Sequence, residues 1–274
     1  MELKDKVTVI TGGASGIGKA LAERFHAEGA AHVVVADLDG DGADAVAASV
    51  GGTGVRLGVG DEAAVKAVVE DTLTAHGRID LFVSNAGYVA MGALETSNDM
   101  MNNMWDVHVM SHVYAARHVV PSMIANGGGY LLNTASAAGL LTQLGSMSYA
   151  VTKGAAVSLA EFLAITYGEK NIGVSVLCPQ AVETNIIQNS PNIDADQETP
   201  GSAAGDGVLS AEALADTVIE ALAAERFHVL PHPEVATYVK RKADDVDRWI
   251  NGMQRFQQRL YTESGSSPAD WLTA

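Results

Sequence analysis

Thr11-Gly12-Gly13-Ala14-Ser15-Gly16-Ile17-Gly18 decides the fold. It follows Val7-Thr8-Val9-Ile10, a short apolar and β-branched run of the kind found in buried parallel strands. It precedes Lys19-Ala20-Leu21-Ala22-Glu23-Arg24-Phe25, which has helical character. Strand, glycine turn and helix in that order make a phosphate-binding corner. The glycines allow a tight turn and a close approach of backbone to a pyrophosphate, whose charge then sits at the helix N-terminus. Gly12, Ser15, Gly16, Ile17 and Gly18 are therefore candidate cofactor contacts.

The next apolar run, His32-Val33-Val34-Val35-Ala36, ends at Asp37, 19 residues beyond Gly18 (37 − 18). A carboxylate there accepts both hydroxyls of an adenosine ribose and repels a 2′-phosphate. No compensating base is in view, since Leu38 follows Asp37 and Ala14 and Ser15 occupy the turn. The expectation is NAD(H) over NADP(H), with Asp37 and Leu38 at the ribose; the alternative is that Asp37 caps the next helix.

Far along the chain, Tyr149-Ala150-Val151-Thr152-Lys153 places a tyrosine and a lysine four apart in a helical run, on one face. A free tyrosine, with a pKa of about 10, is a poor acid–base group at neutral pH. An ammonium within about 4–6 Å favours the phenolate and lowers that value. Alone, such a pair is usually a packed ring beside a solvated charge. Together with the glycine corner it points to a proton-transfer centre.

Taken together, these segments resemble the short-chain dehydrogenase/reductase family, in its NAD-preferring form of about 250 residues. The resemblance covers residues 5 to 230 and is carried by Thr11 to Gly18, Asn85-Ala86-Gly87, Ser136, Tyr149 with Lys153, and Pro179 through Thr184. It implies a reversible hydride transfer between a secondary alcohol and NAD. Tyr149 acts as acid–base group, Ser136 orients the substrate oxygen, and Lys153 lowers the Tyr149 pKa and binds the nicotinamide ribose. It further implies that Asp61 contacts adenine and that Thr184 holds the nicotinamide carboxamide. Asn85, Ala86, Gly87, Pro179 and Val182 complete the implied cofactor contacts. Helix capping by Asp61 is an equal alternative, and Asn85-Ala86-Gly87 can also be read as turn chemistry.

Two positions depart from the family pattern. His108 stands where asparagine usually anchors a water that links the lysine to solvent; a neutral imidazole, one donor and one acceptor, could hold that water. The alternative is that His108 simply packs. Gln180 replaces the glycine usual after Pro179, so its amide could face nicotinamide or substrate. Met91, Gln143, Met147 and Gln180 are the substrate-side candidates. His108 and His112 share a helix face, but no neighbouring carboxylate or cysteine completes a metal site, and none is expected.

The remaining chain agrees. Strand patterns at 55–59, 79–84, 130–134, 172–178 and 227–230 alternate with helical patterns at 62–75, 99–123, 149–167 and 211–224. Alternation of this kind gives an α/β fold, a Rossmann-type doubly wound parallel sheet, in a single domain. Residues 1–232 form the dehydrogenase domain, with a substrate lid at 185–210 rich in Asn, Asp, Ser, Gly and Pro. Residues 233–274 form a C-terminal helical extension and tail. There Val246, Trp249, Met253, Phe256 and Leu260 make an apolar stripe that could cover the pocket or meet another subunit, and Trp271 and Leu272 could latch onto a neighbour.

The 274 residues include 47% apolar side chains, enough for a sizeable core, and a single cysteine, Cys178, which excludes an intramolecular disulfide. A formal charge of −16 argues against nucleic acid, anionic membrane or an acidic carrier protein as partner. No signal peptide or membrane span is evident, and a cytoplasmic homo-oligomer, dimer or tetramer, is expected. Three functions remain: an NAD-dependent alcohol dehydrogenase or ketoreductase acting on a small-molecule alcohol or ketone; a non-catalytic NAD(H)-binding sensor; and an epimerase or dehydratase, which normally needs a larger substrate domain. The intact Ser136, Tyr149 and Lys153 favour the first.

Overall fold

Seven strands line up in parallel in the order β3-β2-β1-β4-β5-β6-β7. They are β1 (Val7–Thr11), β2 (His32–Asp37), β3 (Thr53–Arg56), β4 (Leu81–Ser84), β5 (Gly129–Thr134), β6 (Ile172–Leu177) and β7 (His228–Val229). The structure is a computed structural model that describes residues 1–186, 188, 190, 205–262, 265 and 267–272. Alternate side chains of each strand leave on opposite faces, and both faces are dry. Val9, Val34 and Ala36 pack on one side, Ile10, Val33 and Val35 on the other. The first side is covered by α3 (Glu62–His76), α5 (Ser111–Ala125) and α7 (Met147–Tyr167), the second by α1 (Gly16–Ala27), α2 (Gly40–Ser49) and α8 (Ala211–Ala223).

Strand order runs outward in both directions from β1 and β4. Connections therefore leave in opposite senses at that point and open a crevice at the carboxyl ends of the strands. The glycine corner stands at its mouth. Gly12 has a φ of +66°, in the left-handed region. A Cβ on Gly18 would meet the Gly12 carbonyl oxygen at 2.0 Å, so only glycine lets α1 start this close to β1.

Two expected elements differ. The strand pattern at 55–59 pairs only through Arg56, and Gly58 to Gly60 leave the sheet to wall the crevice. The helical pattern at 99–123 is two helices, α4 (Asn98–Trp105) and α5, joined by a π-helical turn at Asp106–Met110 that holds His108. Beyond β7 follow α6's neighbour α9 (Glu234–Asp244) and α10 (Val246–Tyr261), where α6 is the short helix Ala137–Leu141 after β5. Asp245 caps α10 by accepting the Arg248 N–H at 2.9 Å. Trp271 meets the Tyr261 ring edge-on at 5.9 Å, so the tail folds back on its own chain at that residue, where a latch onto a neighbour was an alternative.

Candidate active site

One cavity of about 1890 Å³ runs along the strand ends, from Asp37 past Gly16 and Asn85 to Ser136 and Tyr149, and ends against Trp249 and Phe256. Gly12, Ser15, Ile17, Leu38, Ala86, Gly87, Lys153, Pro179, Val182 and Thr184, all candidate cofactor contacts, also line it. Gly18 and Asp61 do not. Gly18 packs beneath the turn, and Asp61 is the exposed N-cap of α3, its carboxylate accepting the Ala63 and Ala64 N–H groups at 2.9 and 3.3 Å. The wall beside it is Val59 and Gly60.

At one end of the cavity, the Asp37 carboxylate is fixed by backbone: it accepts the Ala14 N–H and the Asp39 N–H, each at 3.0 Å. The cap of α2 is Asp39, not Asp37. Asp37 is thereby oriented into the cavity by the glycine turn itself. A base is present after all, because parallel pairing sets Arg56 opposite Asp37 and both line the cavity. Nothing in local sequence announces Arg56; only the β2–β3 register brings it there.

Asn85 ties the corner together. Its amide donates to the Thr11 and Gly12 carbonyls at 3.1 and 3.2 Å and accepts the Thr134 hydroxyl at 3.2 Å. Thr134 ends β5, and Ser136 follows as N-cap of α6, its Oγ accepting the Ala138 N–H at 3.1 Å. That Oγ also donates toward the Pro179 carbonyl at 3.4 Å, and the same hydroxyl stands near enough to the Tyr149 hydroxyl to hold its pKa down. Lys153, one turn beyond Tyr149 on α7, is buried; its Nζ donates to the Thr134 carbonyl at 2.9 Å and lies 5.7 Å from the Tyr149 ring centroid.

Burial dominates the titration here. It pulls Lys153 down to about 8 and pushes Tyr149 up, the neighbouring Ser136 hydroxyl opposing the latter. The expected lowering of Tyr149 by Lys153 is thus corrected: the ammonium is turned to Thr134, and dehydration of the phenol wins. Cys178 behind them is pushed up by burial to about 12 and is a thiol at neutral pH.

His108 is fully buried, with both ring nitrogens engaged. Nε2 accepts the Tyr88 N–H at 3.2 Å, so Nδ1 carries the proton and donates to Thr152 Oγ1 at 2.9 Å. Thr152 in turn donates to the Ser148 carbonyl at 2.8 Å. No ring atom is left for a relay water, so His108 positions α7 and does not line the cavity. Burial, then Lys153, lowers its pKa well below the usual value. Burial and then Lys153 also lower His112 to about 3; Asn133, beside that ring but outside hydrogen-bond geometry, opposes. Among the described residues no three metal-ligating side chains gather.

The short chain dehydrogenase family model matches residues 6–194. The chain belongs to the short-chain dehydrogenase family. It is an oxidoreductase of that family, acting on CH–OH groups. It is 33% identical over 260 residues to 1-deoxy-11-beta-hydroxypentalenate dehydrogenase of Streptomyces exfoliatus, covering 92% of each chain. With meso-2,3-butanediol dehydrogenase of Serratia marcescens it shares 36% identity over 70% of this chain and 77% of that one. A short-chain dehydrogenase/reductase from Burkholderia phymatum, solved in complex with NAD, superposes with a TM-score of 0.81 at 31% identity, covering 90% and 96%.

On the substrate side of this short-chain dehydrogenase, Met91 and Gln143 line the cavity, whereas Met147 starts α7 outside the wall, its N–H on the Gly92 carbonyl at 2.8 Å. Gln180 also lines the cavity, its amide tied to Asp206: Nε2 donates to that carboxylate at 2.9 Å, and the Tyr238 hydroxyl donates to its other oxygen at 2.9 Å. Of the expected lid, Asn185, Ile186, Gly205 and Asp206 line the cavity; 187, 189 and 191–204 lie outside the described residues. The apolar stripe of α10 supplies Trp249, Met253 and Phe256 to the wall, while Val246 is exposed. Sequence patterning suggested that helix face; Tyr238 and Arg241 on α9 gave no signal.

Proposed function

We propose that this dehydrogenase interconverts a bulky, largely apolar secondary alcohol and its ketone, with NAD as the preferred cofactor. The observation that carries the reading is that Ser136, Tyr149 and buried Lys153 line one cavity together, at the point where the glycine-cornered crevice meets an apolar chamber. The dinucleotide fits the residues present: Gly12 and Gly16, which line the cavity, present no Cβ to a pyrophosphate, and the Asp37 carboxylate beside them could accept ribose hydroxyls. Bound there, it supplies the hydride acceptor in one direction and the donor in the other.

Ser136 holds the substrate oxygen. Tyr149, kept a phenol by burial, donates its proton to a carbonyl oxygen in reduction; in oxidation it is first ionised and takes the proton of the carbinol hydroxyl. Lys153, its ammonium held on the Thr134 carbonyl at the cavity wall, could bind the nicotinamide ribose. Thr184, set over Gly16, and Val182 are placed for the nicotinamide end. The chamber walled by Trp249, Met253 and Phe256 supports a bulky substrate, as do relatives named for a hydroxypentalenate and matched along nearly the whole chain. Phe162 and Ile165, exposed on α7, support a homo-oligomer. The lone cysteine is consistent with a cytoplasmic setting.

The test is a panel of aliphatic, alicyclic, aryl and steroid alcohols with NAD⁺, read at the NADH absorbance band. Tyr149→Phe is expected to retain NAD binding and to lose turnover by about 10²–10⁴-fold. Near wild-type turnover in that variant sinks the assignment.

A further inference from the structure

Behind the substrate wall, two side chains meet at a bare glycine. Gly145, in the loop before α7, is buried and has a φ of +70°, in the left-handed region. A Cβ built on it would stand 2.2 Å from the Tyr261 hydroxyl oxygen and 3.1 Å from Met91 Cε. The ring hydroxyl and the thioether methyl therefore converge on the space that a side chain at 145 would occupy. Met91 lines the cavity, whereas Tyr261, the last residue of α10, is 6% exposed and does not. Trp271 packs edge-on against the same ring at 5.9 Å, so the tail as well as the helix holds it in place.

The backbone at this point is fixed without Tyr261. The Gly92 N–H donates to the Gly145 carbonyl at 3.0 Å, and the Met147 N–H donates to the Gly92 carbonyl at 2.8 Å. The Ser146 hydroxyl donates to the Ala90 carbonyl. These bonds tie the loop that carries Met91 to the loop that leads into Tyr149. What they leave adjustable is the Met91 side chain, with three rotatable bonds and a soft thioether. Such a side chain takes the shape its neighbours allow, and a buried aromatic ring is a stiff neighbour. Glycine at 145 puts no side chain between the two.

We propose that Tyr261 is a specificity-determining residue that backs the Met91 side chain at the chamber wall and so limits the size of the alcohol that fits beside Tyr149. It acts through Met91 and touches no substrate. The proposal rests on the dehydrogenase reading of that site and names what sets its substrate size.

The experiment titrates 4-substituted cyclohexanols of graded size, from cyclohexanol to 4-cyclohexylcyclohexanol, into the full-length protein with NADH present, by calorimetry. Oxidation of the same alcohols with NAD⁺ is followed separately. Tyr261→Leu and Tyr261→Met each keep an apolar side chain in the buried site. Both are expected to raise the affinity for the largest alcohol relative to the smallest by roughly tenfold, the scale of one methylene's worth of room in an apolar pocket. Tyr261→Phe keeps the ring and with it the wild-type ratio. Met91→Ala raises the ratio by itself, and adding Tyr261→Leu to it changes little, because the side chain through which the ring acts is gone. A wild-type ratio in both Tyr261 variants overturns the proposal, as does an equal loss of affinity across the series or binding of no alcohol at all. So does an effect of Tyr261→Leu that persists in full beside Met91→Ala. Failure of the dehydrogenase reading shows separately, as absence of NADH formation with every alcohol while the calorimetry still ranks them by size.

Discussion

The His108 imidazole and the Thr152 hydroxyl lie 2.9 Å apart, bridging the π-helical turn and the helix that carries Tyr149 and Lys153. With Tyr88 on one side of the ring and Ser148 beyond Thr152, three hydrogen bonds in series fix the pitch and rotation of α7 behind the proton-transfer pair.

Thr152→Val strands the Nδ1–H of His108 in a dry interior, which costs about 1–3 kcal/mol. Thermal or urea melts are expected to show that loss, with kcat reduced and the dissociation constant of NAD little changed. His108→Asn is expected to alter stability and leave the pH–rate profile in place. A displaced limb of that profile in the asparagine variant would restore a relay role for the ring.

Asp37 and Arg56 stand opposite each other on neighbouring strands, with opposite charges, in the wall of the cavity. Asp37→Ala should reduce the ratio of kcat/KM for NAD over NADP by roughly tenfold or more, equivalent to about 1.4 kcal/mol. Arg56→Ala should raise the same ratio, because the cation beside Asp37 that could meet a 2′-phosphate is gone. An unchanged ratio in both variants means that discrimination lies elsewhere.

His108 and His112 are buried uncharged, with folded-state pKa values below the unfolded value of 6.5. Between those limits the unfolded chain binds more protons, so stability rises with pH and is lost as pH falls below about 6.5. Each such histidine contributes a slope of up to about 1.4 kcal/mol per pH unit. Urea midpoints should drop between pH 7 and pH 5, and less steeply in His112→Leu. Parallel curves for the two proteins would remove His112 from the account.

Lys153 shows the same direction at higher pH. Its folded pKa, about 8, lies below the unfolded 10.5, so the fold gains stability as pH rises through that window and carries the full penalty at neutral pH. Lys153→Met is therefore expected to abolish turnover yet melt later at pH 7, by on the order of 1–3 kcal/mol. A variant that melts earlier would mean that the Thr134 hydrogen bond outweighs dehydration of the ammonium.

The cofactor half was legible because its signals are local. Glycines that must turn and pack, an acid at a strand end and a tyrosine–lysine pair on one helix face each lie within a few residues of one another. What escaped depends on pairing between distant segments. Arg56 reaches the ribose end only through β2–β3 register, and Asp61 reads equally well as cap or contact until α3 is seen to begin there. The break at Asp106–Met110 was hidden because a π-helical turn keeps helical composition and shifts only the hydrogen-bond ladder. The α10 stripe was visible as a stripe, but periodicity says that a face is buried and not what it faces.

That stripe separates inheritance of chemistry from inheritance of taste. The family match ends at residue 194, whereas Arg241, Trp249, Met253 and Phe256 come afterwards on two helices that contribute no strand to the sheet. Graft experiments that exchange residues 233–262 between relatives should carry substrate preference with them, while the glycine corner, Ser136, Tyr149 and Lys153 stay as they are.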